Sequence, residues 1–174
     1  EVRAPDINCS QAFFACDAGE AANAERLGGG VIYYALAAVK NVGRQAMDHV
    51  VEVREAGGPF RSIADFARRV DPKLINKRAF ESLAKAGAFD ALNPNRRQLV
   101  QSADIILGSA ARAVRDRDAG QSSLFGAAEP SRDSLPLVAV DDWPVHERLA
   151  EEFAAIGFYL SGHPLDAYAQ ALKR

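Results

Sequence analysis

Around residue 40 the chain reads Leu36-Ala37-Ala38-Val39-Lys40-Asn41-Val42-Gly43-Arg44-Gln45. These residue types suit one chemistry, the gripping of a phosphate. Gly43 permits close backbone approach, Asn41 tolerates left-handed geometry, and Val42 between them can tuck into a core. The amides that open the next helix have no intrahelical partner and carry positive partial charge. They form an anion site, flanked by Lys40 and Arg44. A second turn, Lys85-Ala86-Gly87-Ala88-Phe89, has the same layout. Gly87 supplies the bend, Ala88 next to it belongs to the candidate contact surface, and Phe89 is the buried plug. Lys77, Arg78 and Lys85 precede it, and Arg96 and Arg97 follow. A third stretch, Gln121-Ser122-Ser123-Leu124-Phe125, has a different character. Two large apolar side chains sit side by side in polar, unpatterned surroundings, with a glutamine able to hydrogen-bond beside them. A loop ordinarily avoids such exposure. The pair either folds back as a plug or docks on another protein.

The elements that must position these residues are mostly helical. Residues 7–16 and 31–39 are aromatic and β-branched enough to read as strands, forming a small antiparallel pair. Gly28-Gly29-Gly30 lies between them without a following Lys-Ser/Thr, so it is no phosphate loop of the nucleotide-binding kind. From residue 36 the period turns helical. Arg44–Ala56 carries Ala46, Met47, Val50 and Val51 on one side and stops at Gly57-Gly58-Pro59. Ser62, with Asp65 three residues on, caps a short helix at Ile63–Val70. Leu74–Ala86 repeats Ile75, Ala79 and Leu83, with Phe80 and Ala84 widening the stripe. Asn93 and Pro94 open a fourth helix with Leu99, Ala103, Ile106 and Ala110 as its buried line, fading after Val114. Residues 115–142 read as a linker. A last helical stretch from Pro144 presents Leu149, Phe153 and Ile156 and ends at Gly157, before a terminal helix with Leu165, Tyr168 and Leu172.

Two consecutive helices joined by a glycine turn that grips the sugar-phosphate backbone form the helix-hairpin-helix scheme, which holds nucleic acid without reading bases. Two such hairpins in tandem could track both strands of a duplex. Ordinary αα-hairpins with glycine caps give the same local pattern. Charge agrees with the first reading. Residues 36–100 hold 12 Lys/Arg against 7 Asp/Glu, a local +5 within a chain of net charge −2. A basic block in an acidic whole suggests one face that meets an anion.

Other chemistries are poorly served. Cys9 and Cys16 have no second Cys/His pair to complete a metal site and read as reduced thiols. Asp116 and Asp118 alternate with arginines, and Asp141-Asp142 precedes a helix, so neither pair suits two-metal catalysis. His49, His146 and His163 lack a nucleophile at a suggestive spacing. Asp90, just beyond the second turn, is the one carboxylate that a glycosylase or lyase reading could use. A third reading is a structural connector that touches no DNA. No apolar run approaches membrane-spanning length, which suggests a cytoplasmic protein, and the opening on Glu1 rather than Met suggests a piece of something larger.

An ordered set of motifs resembles the bacterial replicative DNA polymerase III alpha subunits, the family C polymerases. It comprises Pro5-Asp6-Ile7-Asn8, the hairpin at 36–43, Gly58-Pro59-Phe60-Arg61-Ser62, Asn76-Lys77-Arg78, the run from Leu83 to Asp90, Gly120–Gly126, and Gly157–Leu165. The family commonly has glycine where this chain has Asn41. The resemblance implies a mainly α fold in four parts. Residues 1–35 would end the fingers region with the β pair. Residues 36–114 would form a tandem helix-hairpin-helix domain on duplex DNA. Residues 115–142 would be a linker carrying the clamp-binding peptide, and 143–174 would hold helices leading toward an oligonucleotide-binding barrel. It also implies that Gln121–Phe125 binds the sliding clamp, the beta subunit. The nucleotidyltransferase aspartates and their Mg2+ would lie upstream, in a whole enzyme that is a DNA-directed DNA polymerase. This chain itself would have no catalytic activity and no cofactor, and its partners would be duplex DNA, the clamp and other polymerase domains, with no membrane.

Overall fold

A computed structural model describes residues 2–14, 32–118 and 135–165. Two short strands, β1 (Val2–Arg3) and β2 (Ile32–Tyr33), lead into a 3-10 turn at Leu36–Ala38. Among the described residues six helices follow: α1 (Arg44–Gly57), α2 (Ile63–Arg69), α3 (Lys77–Lys85), α4 (Arg96–Gln101), α5 (Ala103–Asp118) and α6 (Val145–Ile156). The fold is mainly helical with a small two-stranded N-terminal sheet.

That sheet differs in detail from the expectation. Its strands run parallel, with Val2 opposite Ile32 and Arg3 opposite Tyr33. Residues 7–9 form a turn instead of a strand. Asp6 accounts for this: its Oδ1 accepts the N–H groups of Asn8 (2.7 Å) and Cys9 (3.1 Å), an Asx turn that takes those amides from any ladder.

The core centres on four phenylalanines. Phe66 packs edge-on against Phe60 and Phe89 at 5.2 and 5.0 Å, and Phe80 lies 5.0 Å from Phe89. Phe89 is fully buried, as a plug should be. The N-terminal motif is clasped onto this core from three sides. Asn8 exchanges two hydrogen bonds with the backbone of Phe60 (2.9 and 2.8 Å), Ile7 N–H donates to Ala88 (2.8 Å), and buried Arg54 donates to the carbonyls of Ile7 and Ser10 (3.0 and 2.7 Å). The chain ends of α1 and α2 are held equally firmly. Ser62 caps α2 by accepting from Asp65 N–H at 3.1 Å, as the spacing predicts. Arg69 bonds the carbonyls of Val53 and Gly58 at 2.7 and 2.8 Å, closing the C-terminal end of α1.

Three other boundaries move. α3 begins at Lys77, where Asn76 caps it through Ala79 N–H, instead of at Leu74. Asn95 caps α4, two residues past the expected Asn93, which instead supports Asn95 by accepting its N–H at 2.9 Å. The expected fourth helix breaks at Ser102, yet Leu99, Ala103, Ile106 and Ala110 all remain buried. The break has a function in packing. Ser102 Oγ accepts Val138 N–H (2.9 Å), Gln98 donates to Val138 (2.9 Å), and Asn95 donates to Val140 (2.7 Å). Residues 135–142, expected as linker, are therefore laid along α4 as a docked strap. On α6 the buried face is Leu149, Glu152, Ala155 and Ile156, while Phe153, expected inside, is exposed.

Candidate nucleic-acid interface

The first turn has the geometry a phosphate grip needs. Asn41 sits at φ 63°, the left-handed region, and no other non-glycine among the described residues has positive φ. Its side chain is what makes this tolerable where glycine would be free. Val42 is half-buried against the core. Gly43 opens α1 in extended conformation (φ −80°, ψ 142°) and no side chain caps the helix. The first-turn amides, from Arg44 to Ala46, thus lack intrahelical partners. A Cβ placed on Gly43 would meet no atom within 4 Å, so the chain's own atoms leave the space over this helix end open. Lys40 is fixed from behind, its N–H donating to Ala155 of α6 at 2.9 Å. The exposed Arg44 lies 3.4 Å from Asp48 and stacks over the Phe13 ring at 4.5 Å.

What stands next to this turn is the N-terminal end of α3. Asn41, Asn76, Lys77 and Arg78 line an open groove of about 420 Å3, and Asn41 Nδ2 donates to Ser82 of α3 at 3.3 Å. The turn that leads into α1 and the N-terminal end of α3, with its positive dipole end, thus share one groove with two basic side chains. Lys77 is paired with Asp104 at 2.7 Å, a hydrogen bond that raises its pKa. Arg78 is exposed. Asn76, which shapes the groove and caps α3, was not among the expected site residues. Its signal was the Asn immediately before a Lys-Arg helix start.

The second turn corrects the expectation. It is sealed. Gly87 has φ 87°, its N–H bonds Ala84 at 3.1 Å, and Ala88 N–H bonds Leu83 at 3.0 Å. This is a Schellman closure of α3, which uses the amides a phosphate would need. Gly87 and Ala88 are both buried. Lys85 is half-buried and paired with Glu151 at 2.8 Å. Arg97 is half-buried, and its N–H binds Asp142 at 3.1 Å.

Arg96 departs furthest from the expected role. It is only 1% exposed. Its guanidinium forks onto Asp90 (2.9 and 2.7 Å) and also donates to Glu152 and to the Lys85 carbonyl, both at 3.0 Å. A Cβ on Gly87 would collide with this guanidinium, so glycine is required there twice over, for its φ and for the arginine behind it. Arg148 extends the network, reaching Asp90 at 3.0 Å and Asp142 at 3.2 Å. Glu152 is fully buried and also accepts from Leu160 N–H (2.6 Å), Ser161 N–H (2.9 Å) and Ser161 Oγ (2.6 Å). This network docks α6 and the Gly157–Leu165 segment onto α3 and α4.

The ionisation of these groups follows. Burial alone would pull the Arg96 guanidinium down, but Asp90 and Glu152 outweigh it and hold it above its ordinary value. Burial alone would raise Glu152, but the hydrogen bonds from Ser161, Leu160 and Arg96 outweigh it and hold the carboxyl below its ordinary 4.5. With the folded value depressed, the unfolded chain takes up the Glu152 proton first as pH falls. Stability from this group is therefore fully present above about 4.5 and is lost as pH drops through the folded value. Urea denaturation across that range is expected to show this acid-sensitive component in the wild type and to lack it in Glu152→Gln, whose baseline stability is lower.

The chain matches the family model described as a helix-hairpin-helix motif over residues 1–99. It belongs to the helix-hairpin-helix family. Its similarity to DNA polymerase III alpha subunits extends beyond that region. This helix-hairpin-helix chain is 45% identical to the "DNA polymerase III subunit alpha" of Caulobacter vibrioides over 173 residues, which is 99% of this chain and 14% of that protein. The protein of the same name from Borreliella burgdorferi is 37% identical over 172 residues, or 97% of this chain and 14% of its own length. That of Xylella fastidiosa (strain Temecula1) is 35% identical over 175 residues, 99% of this chain and 14% of its own. The helix-hairpin-helix chain thus spans about 14% of the length of these relatives.

Within this chain Asp90, the carboxylate a glycosylase would need, is held by both Arg96 and Arg148. His49 is structural, its Nε2 accepting Asp71 N–H at 3.0 Å. Among the described residues no group of His, Cys, Asp or Glu is placed to hold a metal ion, and no helix is long and apolar enough to cross a membrane. The peptide Gln121-Ser122-Ser123-Leu124-Phe125, like Cys16, Gly28–Gly30, Tyr168 and Leu172, lies outside the described residues.

Proposed function

We propose that this chain is a non-catalytic module that holds duplex DNA by its backbone and binds the sliding clamp, serving a DNA polymerase III alpha subunit in processive replication. The observation that carries the DNA half is the groove lined by Asn41 of the first turn and by Asn76, Lys77 and Arg78 at the start of α3, with Lys40 and the uncapped start of α1 close to Asn41 along the chain. Amides and cations there suit phosphate oxygens, which carry no sequence information. The contact set is Lys40, Asn41, Gly43, Arg44, Lys77 and Arg78, with Val42 pinning the turn. The second turn acts as structure behind it.

Binding of this kind depends steeply on salt and ignores sequence. Lys40→Ala and Arg78→Ala are each expected to weaken duplex binding uniformly across sequences and to lower the slope of log K against log salt by about 1. Fluorescence anisotropy over a salt series measures both. Unchanged affinity and slope in the double variant would remove the groove from the contact surface and favour a structural connector.

The clamp half rests on Gln121-Ser122-Ser123-Leu124-Phe125 and on the likeness to alpha subunits. Leu124 and Phe125 would enter an apolar pocket on the clamp while Gln121 bonds its rim. A tether of this kind raises the effective concentration of polymerase at the primer.

A further inference from the structure

Beside the open helix end lies a cluster of exposed aromatic rings that phosphate binding does not use. Phe13 and Phe14 are 51% and 57% exposed, and Phe158 is 45% exposed. Exposed rings in such number are unusual on a soluble surface. They are also packed against the fold. Buried Tyr34 lies between Phe14 and Phe158, in edge-to-face contact with each at 5.1 and 5.5 Å. The segment bearing Phe13 is pinned to the 3-10 turn, where Leu36 N–H bonds Gln11 and Ala37 N–H bonds Ala12 at 3.0 and 3.1 Å. The segment bearing Phe158 leaves α6 directly after Ala155 and Ile156, and Ala155 is the residue that holds Lys40. The rings and the phosphate-gripping turn therefore share one scaffold.

Charge decides between possible occupants. Arg44, in the first turn of α1, stacks on Phe13 at 4.5 Å, and the paired Asp48 is the acidic group facing it. Exposed aromatic rings beside a guanidinium in the first turn of α1 match a nucleotide, which offers a π-face and an anion at adjacent positions. We propose that Phe13, Phe14 and Phe158 form a stacking platform for an unpaired nucleobase, with Arg44 and Lys40 on its phosphate. The platform would take the first single-stranded nucleotides that leave a duplex seated in the groove between the first turn and the start of α3, and to that extent it rests on the DNA reading above. It would tolerate any base, because every base has a π-face.

The test is anisotropy with the 174-residue chain and four kinds of labelled probe. These are a blunt duplex, the same duplex with an oligo-dT overhang at either end, the same overhangs made abasic, and oligo-dT alone beside its abasic equivalent. At least one base-bearing overhang is expected to bind roughly tenfold tighter than its abasic twin and the blunt duplex, and oligo-dT to outbind the abasic strand. The exposed-site double variant Phe14→Ala/Phe158→Ala, which leaves the Arg44–Phe13 contact in place, should lose that increment and keep blunt-duplex affinity. Equal binding of base-bearing and abasic strands by the wild type would overturn the platform without any variant being needed. So would an increment that survives the double substitution, which would leave the rings as a protein-facing surface. Loss of salt-dependent blunt-duplex binding would sink the groove reading instead, and the oligo-dT comparison would still decide the platform.

Discussion

Arg96→Ala is expected to destabilise the fold by about 3–5 kcal/mol, the range for breaking a buried ion pair, while duplex affinity of the molecules that remain folded stays unchanged. The cost comes from what is left behind. Glu152 is fully buried and would lose its cationic partner, and Asp90 would lose both arms of a bidentate bond. Arg148 still reaches Asp90 at 3.0 Å, but among the described residues no second guanidinium bonds Glu152. Arg96→Lys is expected to recover little, because an ammonium cannot fork onto Asp90 while also donating to Glu152 and the Lys85 carbonyl. Arg97→Ala, one residue away and only half-buried, should shift stability by less than about 1 kcal/mol. Urea titrations measure the first effect, and duplex anisotropy well below the unfolding transition measures the second. A drop in duplex affinity of folded Arg96→Ala would return the second turn to the DNA surface.

Replacing both Leu124 and Phe125 with alanine is expected to abolish clamp binding and leave duplex binding nearly untouched. Burying the two side chains is worth roughly 3–5 kcal/mol before ordering costs, so their removal should weaken the clamp complex by a factor of at least about a hundred. Gln121→Ala should cost less, since it loses only a rim hydrogen bond worth about 0.5–1.5 kcal/mol. A pull-down on immobilised clamp, run beside duplex anisotropy on the same preparations, separates the two activities. Parallel loss of both would mean that the pair supports the fold, and loss of neither would leave the peptide without a clamp role.

The two results together would divide the molecule by function. The groove between the first turn and the start of α3 would hold DNA, the polar network around Arg96 would hold α6 in place, and the peptide would tether. Sequence motifs that look alike serve different parts of this scheme. Gly43 leaves a helix end open, whereas Gly87 closes one.

That contrast marks the boundary between local and long-range information. Features decided within a few residues were legible in the chain alone: the cap at Ser62, the stop at Gly58, the left-handed turn at Asn41, and the buried lines Ile75-Ala79-Leu83 and Leu99-Ala103-Ile106-Ala110. Each depends on neighbouring backbone amides or on helical periodicity. The mainly helical class followed from the same signals, and the ordered motifs pointed to the polymerase family. Which cations face solvent was not legible. Arg96 and Arg97 are adjacent and chemically identical, yet the first is buried because Glu152 arrives from 56 positions away. The parallel sense of the small sheet, the strap of 135–142 along α4, and the pairing of the first turn with the N-terminal end of α3 likewise needed the tertiary structure. A buried charge needs compensation, and although Asp90 lies six residues from Arg96, nothing local in the sequence places Glu152 against it.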